Sequence, residues 1–121
     1  MLHHYSTSQE KVKRGNSMIN LLWQSTSALH ERFGNTEKSI AHFRARWRKV
    51  EEEHQEFQYA PDNANLVEEA VDVLVTMMGV LQLEGVTLEE LEGAVAKVIA
   101  KNGAKTQETH KLEGYQIVRR K

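Results

Sequence analysis

The stretch 65–84 constrains the fold most, because it is apolar on nearly every side of a helix. Its apolar residues recur at three and four positions rather than at two, which is the spacing of a helix and not of a strand. A helix that is apolar all round is usually buried in the middle of its domain or at an interface. We therefore expect this stretch to be a central helix that other elements cover.

Three further stretches repeat apolar residues at helical spacing, and few chain breakers interrupt them, since the 121 residues contain one Pro and seven Gly. Gly34 and Gly85 each follow such a stretch, as residues just past a helix end often do. Asn65 and Thr87 each have a Glu three residues later, which is the capping-box pattern of a helix start. The sequence predicts an all-α four-helix bundle, in one domain over 1–121 with irregular ends at 1–15 and 106–121 and with helices at about 17–33, 36–59, 65–84 and 87–102.

Composition excludes several classes of function. The 16 Lys and Arg against 17 Asp and Glu give a net charge of −1, so no overall field draws the chain to a nucleic acid polymer or to an anionic membrane. The absence of Cys excludes a thiolate nucleophile and a zinc site built on sulfur. No apolar run approaches the roughly 18 residues of a membrane span, and the first residues lack the layout of a signal peptide. We expect a cytoplasmic protein.

Carboxylates fall at helical spacing on the second and third predicted helices. Glu52, Glu53 and Glu56 share one face of the second, away from its apolar stripe, and taken alone they are typical of a solvated face. Glu69 and Asp72 lie three apart inside the apolar third helix. Burying an unpaired carboxylate costs several kcal/mol, so these two groups need a cation, either Lys or Arg or a metal.

Antiparallel packing of these two helices would bring the carboxylate pairs face to face. Four carboxylates repel each other too strongly for one or two Lys to compensate, and oxygen-only ligation suits Mg²⁺ or Mn²⁺. A di-iron carboxylate bundle is a rival, but it requires Glu-x-x-His twice and the chain supplies it once, at Glu51 and His54. His54 falls on the apolar stripe of its helix, so we predict a core histidine there.

The order Glu52-Glu53-x-x-Glu56, twelve residues, then Glu69-x-x-Asp72 resembles the signature of the MazG-like all-α nucleoside triphosphate pyrophosphatases. That superfamily also includes dimeric dUTPases, dCTP pyrophosphatases and phosphoribosyl-ATP pyrophosphohydrolase. The resemblance covers roughly residues 17–110. Three further segments are similar: the His-x-x-Phe-Gly turn that begins at His30, the basic residues Arg44 and Arg48 before the acidic motif, and Lys101-Asn102 followed by Lys105.

The resemblance implies Mg²⁺-dependent hydrolysis of nucleoside triphosphates, in particular (d)NTPs, to monophosphate and pyrophosphate, with water attacking near the α-phosphorus. It implies Glu53, Glu56, Glu69 and Asp72 as metal ligands, with Mn²⁺ as a possible substitute, and Glu52 and Glu53 as the catalytic carboxylates that orient or deprotonate the water. The candidate substrate-binding residues are His30, Phe33, Trp47, Arg48, Lys97, Lys101, Asn102 and Lys105. Phe33 and Trp47 also fit core packing, and the lysines also fit a solvated helix face.

Assembly and the rival functions complete the expectations. Three neighbouring helices barely cover a helix that is apolar all round, so a second subunit is a plausible cover. Family members similarly form homodimers, or homotetramers as pairs of dimers. Two alternatives to triphosphate hydrolysis stay open: phosphoribosyl-ATP hydrolysis, and a non-catalytic helical binding or regulatory module whose acidic face meets a basic partner.

Overall fold

The computed structural model describes residues 17–121. In this part of the chain four helices precede two strands: α1 Met18–Arg32, α2 Ile40–Gln58, α3 Asn63–Leu83, α4 Leu88–Gly103, β1 His110–Glu113 and β2 Gln116–Arg119. The predicted all-α class and its four helices are confirmed. None of the described helices has both the length and the apolar character that crossing a membrane requires. The prediction for residues 1–15 lies outside the described residues.

Local capping explains where the helices begin and end. The backbone N–H of Asn35 donates to the carbonyl of His30, and Gly34 N–H donates to Glu31, which is the pairing of a Schellman motif. Gly34 has a φ of 64°, and Gly85 ends α3 in the same way with a φ of 85°. Both glycines therefore lie just past a helix end, as the sequence predicts, because the left-handed conformation favours a residue without a Cβ.

The starts of α3 and α4 differ in how well the sequence located them. The capping box at Thr87 is confirmed, since its side chain accepts from the backbone N–H of Glu90 and the Glu90 carboxylate accepts in return. The box at Asn65 is wrong. Asp62 caps α3 instead and accepts from Asn65 N–H at 2.9 Å, so the helix begins earlier than the sequence indicates. An Asp after Pro61 is an equally good cap, and the pattern alone did not decide between the two.

Contacts divide the chain into two compact units, of which the first ends at Val86 and the second begins at Thr87. In the first unit α3 packs against both α1 and α2, so it is the central helix of that unit. Thr26 of α1 is almost completely buried, and its hydroxyl donates to the Leu22 carbonyl. The buried apolar side chains of this unit include Trp23 of α1 and Met78, Val80 and Leu83 of α3.

The apolar surface of this unit is only partly covered. The sequence places Val71, Val75 and Met78 together on one side of α3, but Met78 is buried whereas Val71 is exposed. The face that stays open, here called the α3 stripe, consists of Val67, Val71, Leu74 and Met77, with exposed fractions up to 65%.

On α2 the sequence prediction of the buried face is wrong. The apolar stripe was expected inside, yet Ile40, Trp47 and His54 are exposed, and the buried residues of α2 are Arg46 and Glu53. His54 is therefore not a core histidine. The physical reason is that α2 turns its polar line toward α3, where Arg46 donates to the Gly79 carbonyl and Glu53 lies beside Glu69 and Asp72. This orientation leaves half of the apolar stripe outside.

The second unit contains α4 and an antiparallel hairpin of β1 and β2. Leu112 pairs with Ile117, and Glu113 with Gln116 next to the turn. Gly114 and Tyr115 both have positive φ, 57° and 65°, which suits the two-residue turns that join twisted strands. The segment 106–121 thus contains regular structure where the sequence predicts an irregular end, because a left-handed Tyr is not a recognisable turn signal.

Candidate metal centre and substrate cavity

The site lies between α2 and α3, which run antiparallel, so residues later in α2 face residues earlier in α3. Arg46 Nη1 donates to the Gly79 carbonyl at one level, and Glu53 lies beside Asp72 two turns further along α2. The prediction that antiparallel packing brings the carboxylate pairs together is thus supported by the contacts. Because each helix advances about 1.5 Å per residue, the two levels are about 10 Å apart.

Three carboxylates form the centre of the site, here called the acidic cluster. Glu53, Glu69 and Asp72 each offer one oxygen, and these oxygens all lie within 4.8 Å of one another. Glu53 is only 7% exposed. From the sequence of α2 alone, the face that carries Glu53 is typical of a solvated face. Glu53 Oε2 and Glu69 Oε2 are buried and have no hydrogen-bond partner. An unpaired buried oxygen is costly, so the cluster is incomplete as a purely protein structure.

One lysine compensates part of this charge. Lys49 Nζ lies 3.1 Å from Glu53 Oε1 and 3.7 Å from Glu52 Oε2. The hydrogen bond to Glu53 raises the pKa of Lys49 and, together with the charges of the neighbouring carboxylates, outweighs partial burial. Among the described residues no second cation lies within 4 Å of the cluster, so two carboxylates remain without a partner.

The protonation of the cluster reflects this excess of negative charge. Burial raises the pKa of Glu69, and the charges of Glu56, Asp72 and Glu53 add to the effect, as does a hydrogen bond with Glu56. Burial also raises the pKa of Asp72, with further contributions from Glu53 and Glu68 that Lys49 partly offsets. Both carboxyl groups hold their protons more tightly than usual, which is the behaviour of a site that needs a cation.

The donor set fits a hard divalent ion. All the available ligand atoms are carboxylate oxygens, which Mg²⁺ and Mn²⁺ prefer, and neither sulfur nor imidazole belongs to the cluster. Glu56 is not one of the three clustered residues, but its charge helps to raise the pKa of Glu69. Glu52 stays largely outside, with 63% of its side chain exposed.

A cavity of about 300 Å³ extends from the acidic cluster along α2 and α3 toward the end of α1. Glu53, Lys49 and Asp72 line it at one end, and Arg46 and His30 line it at the other. The remaining lining residues are Leu29, Asn35, His42, Ala45, Val75, Thr76 and Gly79. Such a mixture of apolar walls and a few convergent polar groups is typical of a small-molecule site.

Of the predicted substrate residues that belong to the first unit, the structure brings only His30 to this cavity. His30 lines it, but Phe33, Trp47 and Arg48 are exposed and are not among its lining residues. Phe33 and Trp47 do not pack in a core either. Lys97, Lys101 and Asn102 belong to α4 in the second unit, and Lys105 lies beyond the end of that helix, where its Nζ donates to Asn102 Oδ1 at 3.4 Å. Their part in substrate binding stays a prediction.

Sequence reasoning missed Arg46, Lys49 and Asn35. Lys49 had a usable signal, because it precedes Glu53 by four residues on a helix and such pairs are neighbours. Arg46 had no usable sequence signal, because Arg44, Arg46 and Arg48 alternate along α2 and look alike in the sequence. Only the packing shows that Arg46 is the buried one of the three. Asn35 lies in a loop, where spacing carries no information on contacts.

An all-α chain with paired carboxylates on facing helices has the architecture of the MazG-like all-α nucleoside triphosphate pyrophosphatases. The family model described as phosphoribosyl-ATP pyrophosphohydrolase matches residues 19–98, which is more than half of the chain. The chain belongs to the phosphoribosyl-ATP pyrophosphohydrolase family, a member of that superfamily, and the predicted resemblance is confirmed. Membership implies a pyrophosphohydrolase that acts on nucleotide phosphoanhydrides. Neither a curated protein nor a solved structure matches the chain.

Proposed function

We propose that this protein hydrolyses nucleoside triphosphates, in particular (d)NTPs, to monophosphate and pyrophosphate in a Mg²⁺-dependent reaction. The observation that carries the proposal is the acidic cluster at one end of a cavity, with two buried carboxylate oxygens that no protein group satisfies. Family membership supplies the reaction class, and the cluster supplies the reason for a metal.

The charges require a metal if the substrate is a triphosphate. A triphosphate carries about four negative charges, so carboxylates with one lysine would repel it unless cations invert the local charge. Glu53, Glu69 and Asp72 would hold Mg²⁺, or Mn²⁺ in its place, with Glu56 supporting Glu69. When bound, the metal neutralises charge on the phosphates and on the leaving pyrophosphate.

The attacking water needs a base, and the structure offers two carboxylates for that role. Glu52 is outside the acidic cluster and is kept near it by Lys49, so its carboxylate is free to accept a proton from water. Glu53 is the second candidate, although its Oε1 already accepts from Lys49. Attack at the α-phosphorus breaks the bond to the bridging oxygen and releases pyrophosphate.

The cavity fits the nucleoside part of such a substrate. Its volume of about 300 Å³ and its apolar lining from Leu29, Ala45 and Val75 suit a base and a sugar rather than a polyphosphate. With the nucleoside in the cavity, the phosphate chain would lie toward the acidic cluster. Polar groups at the far end, at His30 and Asn35, are then available to the base.

Pyrophosphate release across the common NTPs, the dNTPs and phosphoribosyl-ATP, with Mg²⁺ and with EDTA, tests this function. We expect activity on at least one triphosphate that EDTA abolishes. Glu53→Gln and Asp72→Asn should eliminate turnover while circular dichroism shows unchanged helical content. Glu51→Gln, which changes an exposed carboxylate of the same helix, is the matched control and should retain activity. A variant of the cluster with near wild-type turnover would show that these carboxylates are structural.

Phosphoribosyl-ATP hydrolysis is the second candidate, because the matching family model carries that description. The same screen decides, since activity confined to phosphoribosyl-ATP would replace the (d)NTP assignment. A binding or regulatory module is the remaining alternative. Calorimetry that detects neither Mg²⁺ nor a non-hydrolysable triphosphate bound to the protein would favour that module.

We also propose that the protein assembles as a homodimer or homotetramer. The α3 stripe is a continuous apolar face along more than two turns, and monomeric soluble proteins rarely leave such a face open. A symmetric pair would lay this stripe against the same stripe of a second copy. A cytoplasmic location stays a prediction from the sequence.

A further inference from the structure

The proposed chemistry leaves one costly group unexplained, the guanidinium of Arg46. This side chain is 8% exposed and is the only buried basic residue of the described part of the chain. No carboxylate lies within 4 Å of it among those residues, and burial lowers its pKa. Burying a cation without an acid costs several kcal/mol after relaxation, so its partners indicate what the burial achieves.

Arg46 binds two backbone carbonyls on two different elements. Nη1 donates to the carbonyl of Gly79 in α3, and Nη2 donates to the carbonyl of Asn35 in the loop after α1. It therefore fixes that loop against the pair of long helices. Gly79 permits the close approach of His30, because a Cβ there would lie only 3.2 Å from His30 Nε2, whereas its 3.8 Å from Arg46 Nη1 would be an ordinary contact.

Asn35 in turn contacts His30 through its backbone and its side chain. Its backbone N–H donates to the His30 carbonyl at 2.8 Å, and its side-chain Nδ2 lies 3.0 Å from His30 Nδ1. With the amide of Asn35 in this orientation, Nδ2 donates to Nδ1, and the proton of a neutral ring is then on Nε2. Burial and the charge of Arg46 lower the pKa of His30, which keeps the ring neutral.

We propose that Arg46 is a positioning residue that, through Asn35, holds His30 as a neutral Nε2–H donor to an acceptor atom of the substrate's nucleoside. The inference rests on the proposed function, because His30, Asn35, Arg46 and Gly79 all line the end of the cavity that the nucleoside would occupy. Both terminal nitrogens of Arg46 donate to protein carbonyls, so the side chain holds the loop against α3, while its buried Nε has no hydrogen-bond partner.

Long-range ¹H–¹⁵N spectra of ¹⁵N-labelled protein test the first half of this inference without any substrate. In the wild type at pH 7 we expect His30 as the neutral Nε2–H tautomer. Asn35→Asp keeps the size of the side chain but offers only acceptor oxygens, so it should move the proton to Nδ1 or charge the ring. A wild-type ring found as the Nδ1–H tautomer or as a cation would overturn the inference.

Arg46 variants test the second half. Arg46→Met should leave His30 in a mixture of tautomers, and Arg46→Lys should restore the wild-type spectrum in part, since Lys still donates to one carbonyl. Arg44→Met, an exposed arginine on the same helix, is the matched control and should change nothing. An unchanged His30 spectrum in folded Arg46→Met would refute the coupling. If Arg46→Met does not fold, Arg46→Lys decides, because the loss of one of the two carbonyl bonds should still shift the His30 spectrum partway toward the mixture, and an unchanged spectrum would refute the coupling.

Kinetics separate this inference from the function on which it rests. With the triphosphate that the screen identifies, and at a pH at which the spectra show a neutral ring with its proton on Nδ1, Asn35→Asp should lower kcat/KM by about tenfold or more, mainly through KM, because the donor at Nε2 is lost. Unchanged KM together with a changed tautomer would show that His30 does not meet the nucleoside. Absence of all nucleotide hydrolysis in the wild type would overturn the proposed function, whereas the spectra would still report on Arg46 and Asn35.

Discussion

Neutralising one carboxylate of the acidic cluster should stabilise the metal-free protein, and Asp72→Asn is the sharpest form of that test. The ligand oxygens of Asp72 and Glu53 lie within 4.8 Å of each other. At an effective dielectric constant of about 20, two unit charges at that distance repel by about 3.5 kcal/mol. Partial solvent access and the nearby ammonium of Lys49 reduce this, so we expect a gain of about 1 kcal/mol.

Thermal unfolding in EDTA measures this effect directly. For a chain of this size, a gain of about 1 kcal/mol corresponds to a rise in Tm of about 3–6 °C. Saturating Mg²⁺ should reverse the order of the two proteins, because at 100 times its dissociation constant a ligand stabilises the wild type by about 2.7 kcal/mol. The variant, having lost a ligand, should gain little. Glu51→Gln should follow the wild type in both conditions.

Two results would refute this reasoning. A lower Tm of Asp72→Asn in EDTA would mean that the carboxylate serves a structural ion pair and not a repulsive cluster. Equal stabilisation of wild type and variant by Mg²⁺ would mean that the ion binds elsewhere.

The remaining predictions concern pH, packing and assembly. Because the folded-state pKa values of Glu69 and Asp72 are raised, the metal-free native state takes up protons at these groups before the unfolded chain does, so the stability advantage of Asp72→Asn over the wild type in EDTA should shrink as the pH falls from 7 toward 5. The lowered pKa of His30 acts in the opposite direction but equally in both proteins, so an advantage that stays constant would contradict the raised values. Gly93→Ala places its new Cβ in open space and should raise the free energy of unfolding by about 1 kcal/mol. Gly79→Ala should give no such gain, because its Cβ would press on the imidazole of His30, and equal gains of the two variants in urea unfolding would disprove this close packing. Light scattering should report a multiple of 13.9 kDa for the wild type and a smaller species for Leu74→Lys, because the lysine would interrupt the α3 stripe. A monomeric wild type at micromolar concentration would rule out the proposed interface.

The sequence by itself determined what depends on local interactions. Three local features are visible in the sequence: the helical periodicity, the glycines that follow helix ends at Gly34 and Gly85, and the capping box at Thr87. Each acts within a few residues, so the sequence alone predicts its effect. The carboxylate pairs were also readable, because three-residue spacing puts Glu69 and Asp72 on one face of any helix. Because apolar residues surround these two carboxylates in the sequence, it also predicts that they need a cation.

Only the tertiary structure decided which face of α2 is inside. By apolar content the stripe with Trp47 should be buried, yet the helix buries Glu53 and Arg46 instead. A side chain is placed by the groups that face it across the interface: the Gly79 carbonyl accepts from the guanidinium of Arg46, and the carboxylates of Glu69 and Asp72 lie beside Glu53. Spacing along one helix contains no information about the groups that face it. For the same reason the sequence revealed the acidic half of the site and missed Asn35, which acts only through contacts across the fold.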